Sequence, residues 1–185
     1  MRVEATAALG RLADPRAWPL IERGLTAKLP PRDSAEGLRL RERTYELRRT
    51  AVFALASMPD PNRVGRWVRA LLKDPDPRIR AEAARAVGMR ATASWLAWLR
   101  PALKDRDPEV RWEAVRSVGL IKARDGFPLL IEALKDPVPR VRMEAARALG
   151  ALGDARAIPA LERLSESGEE DLREAAAAAL AQLRR

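Results

Sequence analysis

Residues 135–152 read KDPVPRVRMEAARALGAL, and that stretch returns along the chain. Ile79, Val110, Val141 and Leu172 fall at intervals of 31 residues, each followed by an arginine: Arg80, Arg111, Arg142 and Arg173. Glu82, Glu113 and Glu144 keep the same step, as do Ala83, Ala114, Ala145 and Ala176, and Gly88, Gly119 and Gly150 close the segments. The opening of the chain matches with a shift of 140, from Arg2, Glu4 and Ala5 (Arg142, Glu144, Ala145) to Asp14, Arg16 and Pro19 (Asp154, Arg156, Pro159). A divergent copy spans 47–77, with Leu47, Ala51, Val52 and Leu55 as its apolar stripe. A fixed period of this size marks an array in which each copy is one supersecondary unit.

Each unit reads as two helices. One runs from Val141 to about Leu152, where Val141, Ala145, Ala146, Leu149 and Leu152 follow a helical rhythm. The other runs from about Arg156 to Leu164. Asp14 and Asp154 precede such helices and read as N-caps, because an aspartate accepts from the free N–H groups of a helix start. Asp76 and Asp107 are natural caps too, and Pro77, Pro108 and Pro139 fit the first helical turn. A helix pair cannot bury its apolar face alone, whereas stacked pairs can. The expected fold is therefore all-α, an α-solenoid (superhelix) of helix pairs. It forms a single domain over 1–185: repeats at about 1–29, 45–77, 78–108, 109–139 and 140–170, an insertion at 30–44, and a C-terminal capping helix over 171–185.

The pattern Val-Arg-x-Glu-Ala-Ala-x-Ala-Leu-Gly-x-Leu, preceded by Lys-Asp-Pro, resembles HEAT-like repeats of the phycobilisome-lyase type over nearly the whole chain. The resemblance is specific for fold and unspecific for function. It implies a ladder in which a turn aspartate bonds the helix arginine six residues later: Asp74–Arg80, Asp105–Arg111 and Asp136–Arg142. The last unit departs, with Ser167 ahead of Arg173. The resemblance also implies that the Val-Arg-x-Glu helices line a concave face.

Composition narrows the function. The sequence holds no Cys and no His, which removes thiolate or imidazole metal ligands, Cys nucleophiles and His bases. Phycobilin lyases share the repeat, but residues for bilin attachment are not identifiable, and the His-Glu metal motifs of deoxyhypusine hydroxylase need histidine. The expectation is a protein that is not an enzyme and takes no cofactor and no metal. No run of about 18 apolar residues codes a membrane span, and Met1-Arg2-Val3-Glu4 has no signal-peptide pattern, so the expected location is cytoplasmic. Lys and Arg total 35 against 26 Asp and Glu. Residues 47–77 carry 6 basic and 3 acidic side chains and residues 78–108 carry 7 and 3, while 109–139 and 140–185 are balanced at 5 and 5 and at 8 and 8. A polyanion partner is one reading of that excess. A charge-rich, thermophile-like composition with one Asn and one Gln is the other.

Two irregularities stand out. From Pro19 to Leu47 is a step of 28 residues, where the regular step from Pro128 to Val141 is 13. Pro30-Pro31 breaks the first helix, Ser34 with Gly37 restarts one, and residues 38–43 prolong the helix reaching Ser57. An insertion of this kind is either a contact element or a neutral surface excursion. The second irregularity is Met1, which falls on the Val141 position, so the chain starts inside a repeat. Met1, Ala5, Ala8, Leu9 and Leu12 are then expected to leave an apolar end face that self-associates.

Residues two, three and six after the repeat's Val position should point into the concave groove. They give Arg49, Trp112 and Met143, then Glu82, Glu113 and Glu144, then Phe53, Arg85, Arg116 and Arg147. Trp112 and Phe53 are the sharper candidates, because an aromatic on a rigid face is a typical anchor. For Trp112 the alternative is packing across the groove onto a neighbouring repeat. The Glu and Arg columns pair at i, i+3, which also merely stabilises helices. On the other helices Arg69, Lys73, Arg100 and Lys104 form stepped basic columns, either phosphate contacts or a solvated face. The leading function is a protein–protein interaction scaffold using the concave face. The runner-up is DNA binding by the basic surfaces of residues 47–108, expected to be weak at best because the Glu column repels phosphates.

Overall fold

The computed structural model describes residues 13–28, 30 and 34–184, and all regular structure among them is helical. The helices are α1 (Trp18–Leu25), α2 (Ala35–Ser57), α3 (Pro61–Leu71), α4 (Pro77–Arg90) and α5 (Leu96–Ala102). They continue with α6 (Pro108–Ile121), α7 (Phe127–Ala133), α8 (Pro139–Leu152), α9 (Ile158–Ser165) and α10 (Glu170–Leu183). The long helices α4, α6, α8 and α10 each have 14 residues, and they start 31 apart. A 3-10 turn introduces each short helix of the regular repeats, at Ala93–Trp95, Arg124–Gly126 and Ala155–Ala157. The chain groups into two compact units, Met1–Ala86 and Val87–Arg185.

In the second unit α6 packs on α8 and α8 on α10, while α7 backs α8 and α9 backs α10. Val110, Ala114 and Val118 are buried on α6, and Val141, Ala145 and Leu149 on α8. The long helices touch through small residues. A Cβ on Gly119 would lie 2.8 Å from Ala148 Cβ, and one on Gly150 would lie 2.9 Å from Ala179 Cα. Those glycines and their facing residues keep the 31-residue step because close approach recurs at each interface.

Three of the long helices, α4, α6 and α8, end in left-handed residues, Ala91 (φ 48°), Lys122 (φ 50°) and Gly153 (φ 76°), again 31 apart. Only Gly153 is suited to that conformation; the other two carry a side chain against it.

In the first unit α1 packs on α2. A Cβ on Gly24 would fall 2.7 Å from Ala51 Cβ, so the same small-residue approach is used. Helix α2 has 23 residues, because Ser34 accepts from Gly37 N–H and starts it well before the repeat. Residues 35–44 of the expected insertion thus form one continuous helix with 45–57, the prolongation read from residues 38–43. The apolar end face expected from Met1, Ala5, Ala8, Leu9 and Leu12 lies outside the described residues.

Candidate functional site

The turn-and-arginine ladder positions the long helices. Arg80, Arg111 and Arg142 do bond six residues back, but the acceptor is the main-chain carbonyl: Asp74 at 2.8 Å, Asp105 at 2.9 Å and Asp136 at 2.8 Å. That corrects the expected side-chain pairing. It also explains the last unit, because Arg173 uses the Ser167 carbonyl at 3.1 Å and needs no aspartate. Each aspartate carboxylate is turned elsewhere. One oxygen accepts the N–H two residues on, as Asp105 does from Asp107 and Asp136 from Val138, both at 2.9 Å. In the second unit Asp136 also grips the arginine of the preceding repeat: Arg111 Nε donates to Oδ2 at 2.7 Å and Nη2 to Oδ1 at 3.0 Å. In the next rung Arg142 meets Glu169. In the first unit the equivalent rung is Arg48 with Asp74.

The Arg48–Asp74 and Arg111–Asp136 rungs are buried, with side chains 12% and 8% exposed for Arg111 and Asp136, while Glu169 of the last rung is exposed. Burial alone would raise the Asp136 pKa, but the Arg111 bonds and the Val138 N–H outweigh it and hold the carboxyl below its usual range. Asp154, which caps the turn before α9, is held down to about 2 by its hydrogen bonds from Arg156. These groups are structural, and they fix which faces of the long helices stay open.

The face opposite the short helices carries the candidate columns. In the first unit Arg49, Thr50, Phe53, Glu82 and Arg85 line one cleft of about 250 Å³. Phe53 is exposed. Arg49 is paired with Glu46 at 2.8 Å and Arg85 with Glu82 at 3.6 Å. Burial pushes the Glu82 carboxyl up, against the pull of Arg85 and Arg49.

In the second unit Arg116 pairs with Glu113 at 3.6 Å and Arg147 with Glu144 at 3.8 Å. Trp112 is half-buried between two guanidinium groups, Arg140 at 4.1 Å and Arg116 at 5.6 Å from the ring centroid. Arg140 also bonds Glu109 at 2.5 Å. Trp112 therefore packs on the neighbouring repeat, which is the second of its two readings. Met143 is half-buried beside Glu144 on α8.

One column escaped the sequence reading. Ten residues after the repeat's Val position stand Met89, Leu120 and Ala151, all exposed. The signal was available, since they keep the 31-residue step and lie four residues beyond the Arg column on the same helix face. A second omission is Glu22, whose Oε1 accepts from Arg63 Nε (2.9 Å), Arg63 Nη2 (2.8 Å) and Trp67 Nε1 (3.1 Å), bracing α1 against α3.

The basic candidates lie on the short-helix side. Arg69 donates to the Gly65 carbonyl at 3.3 Å. Arg100 and Lys104 line a cleft of about 660 Å³ with Lys135, but Glu132 and Asp136 line it too. Lys104 is paired with Glu132 at 3.2 Å, and Lys73 is exposed. Among the described residues no group of three or more acidic, Cys or His side chains is arranged to hold a metal. No described helix is long and apolar enough to cross a membrane.

A scaffold of repeated helix pairs with regular rungs defines a class, the α-solenoid. The family model for HEAT repeats matches residues 35–105 and 96–181, and the chain belongs to that family. Among solved structures it is similar to the CpcE–CpcF complex of phycocyanin lyase from Nostoc sp. PCC7120, at 22% identity over 100% of this chain and 71% of that one, with a TM-score of 0.61. Human deoxyhypusine hydroxylase is 20% identical over 99% of this chain and 79% of that one, with a TM-score of 0.57. A designed armadillo repeat protein in complex with the peptide (KR)4 is 19% identical over 96% of this chain and 98% of that one, with a TM-score of 0.55. No curated protein matches the chain. At these identities the neighbours speak to the fold alone, and they include both enzymes and a peptide binder.

Proposed function

We propose that the protein is a non-catalytic scaffold that binds another protein along the face of its long helices. The observation that carries this reading is the contrast between two sets of arginines. Arg111 is engaged on three nitrogens by Asp136 and by the Asp105 carbonyl. Arg116 and Arg147 stand on the open face in loose ion pairs, beside exposed apolar side chains. A rigid face of mixed charged and apolar groups is suited to recognising a protein surface. The absence of histidine and cysteine from the sequence supports the non-catalytic part. A cytoplasmic location fits the same reading.

The DNA reading has less support, because the basic cleft also holds Glu132 and Asp136. A photo-crosslinking residue placed at position 116 should capture a protein from an extract of the cell that makes the chain, and one at position 100 should not. Equal capture from both positions, or capture of nucleic acid instead, would sink the proposal.

A further inference from the structure

The chemistry of the partner can be read from the depth at which each charge sits. This step rests on the reading that the long-helix face binds protein. In the second unit the acidic row lies low: the Glu113 and Glu144 side chains are 12% and 15% exposed. The basic row stands above it, with Arg116 and Arg147 at 43% and 59%. Their ion-pair separations of 3.6 and 3.8 Å exceed hydrogen-bond length, so guanidinium N–H donors remain for an incoming acceptor. An approaching molecule therefore meets arginine first, although sequence counting gives equal rows of Glu and Arg.

Beside the arginines runs the apolar row, in which Met89 and Leu120 are 43% and 47% exposed and Ala151 is exposed as well. Leu120 and Ala151 follow Arg116 and Arg147 by four residues, one helical turn along the same face. The far flank is closed by Trp112, held between Arg116 and Arg140. Cationic and apolar groups thus form two parallel rows that step from helix to helix.

We propose that this face docks an amphipathic helix of a partner protein whose apolar stripe is flanked by carboxylates. A helix presents adjacent stripes of different character along its length, which matches two parallel rows. An extended strand puts alternate residues on opposite sides and matches them less well. Carboxylates would bind Arg116 and Arg147 by charge-assisted, two-pronged hydrogen bonds. A basic segment would meet the arginines before it reached any glutamate. A phosphate backbone would gain nothing from Leu120 and Met89.

The test uses the full chain and two fluorescein-labelled helical peptides with the same leucine stripe, one flanked by glutamates and one by lysines, with a labelled DNA duplex as third probe. Fluorescence anisotropy should show the acidic peptide binding roughly tenfold or more tighter than the basic one. Arg116→Glu with Arg147→Glu should invert that preference, and Leu120→Ser should weaken the acidic peptide roughly fivefold with unchanged circular dichroism. Equal binding of the two peptides, binding of neither, no response to the charge swap, or tighter binding of the duplex would each overturn the inference. Protein capture from position 116 without an acidic preference would leave the scaffold reading standing and remove only this one.

Discussion

Arg48 in the first unit and Arg111 in the second stand on the same rung, yet they hold it differently. Arg111 meets Asp136, 25 residues on, with two nitrogens. Arg48 meets Asp74, 26 residues on, through Nη2, and among the described residues no acceptor reaches its buried Nε. The extra residue has an identifiable place. In the regular repeats a left-handed residue and a 3-10 turn lead into the short helix. In the divergent repeat Met58 is extended (φ −70°, ψ 143°), and Asp60 caps an 11-residue α3 directly. The register of the long helices survives that change because the rung still closes. It closes less completely, since a buried donor without a partner costs about 1–3 kcal/mol.

The largest expected effect is on the second unit's rung. Arg111→Ala strands a buried carboxylate and should destabilise by about 3–5 kcal/mol. Arg116→Ala removes a part-exposed ion pair worth about 0–1 kcal/mol. Arg48→Ala should fall between them, because its rung is already incomplete. Urea denaturation midpoints in that order support the comparison, and Arg48→Ala at or beyond Arg111→Ala would break it.

Next in size is Gly119→Ala. Its new methyl would lie 2.8 Å from Ala148 Cβ, and overpacking of this kind costs about 1–3 kcal/mol. Unchanged thermal stability would show that α6 and α8 are not in close contact there.

Much of this was legible in the sequence, and the gaps have physical causes. The 31-residue step gave the long helices, Asp76 and Asp107 marked the starts of two of them, and Asp14 and Asp154 marked caps of the turns that lead into short helices. The rungs were misassigned because the carboxylate partner lies about a repeat away, whereas the bond six residues back is made by a carbonyl that any residue supplies. The left-handed helix ends at Ala91 and Lys122 left no trace, since neither is glycine. Trp112 was legible as a face residue, but its clamp comes from Arg140, 28 residues later. The relative depth of Glu and Arg follows from rotamers and neighbouring helices, which periodicity does not encode.

A smaller effect follows from those helix ends. Lys122→Gly should stabilise the second unit by about 0.5–1 kcal/mol, by relieving a left-handed backbone. Met58→Gly in the first unit should do the opposite, because Met58 is extended and fully buried. Scanning calorimetry showing both variants shifted in the same direction would contradict the assigned turn geometries.

The smallest expected effect is that of Glu82, and it is read through pH beside the rung carboxylate. The Asp136 carboxyl is held below its unfolded value, so its contribution is present above about pH 4 and is lost as pH falls through the lower folded value. Glu82 is raised by burial, so its contribution is largest below about pH 4 and is lost as pH rises through the folded value. Glu82→Gln should therefore be neutral or slightly stabilising at pH 7, while Asp136→Asn should be destabilising there and less so at low pH. Chemical denaturation at pH 7 and pH 3 separates the two.

The rung between repeats is tested most directly by a double-mutant cycle on Arg111 and Asp136. Denaturant unfolding of Arg111→Ala, Asp136→Ala and the pair should give a coupling of about 2 kcal/mol or more, as expected for contacting charges in one network. Additive losses, with a coupling near zero, would mean that the ladder does not hold the stack.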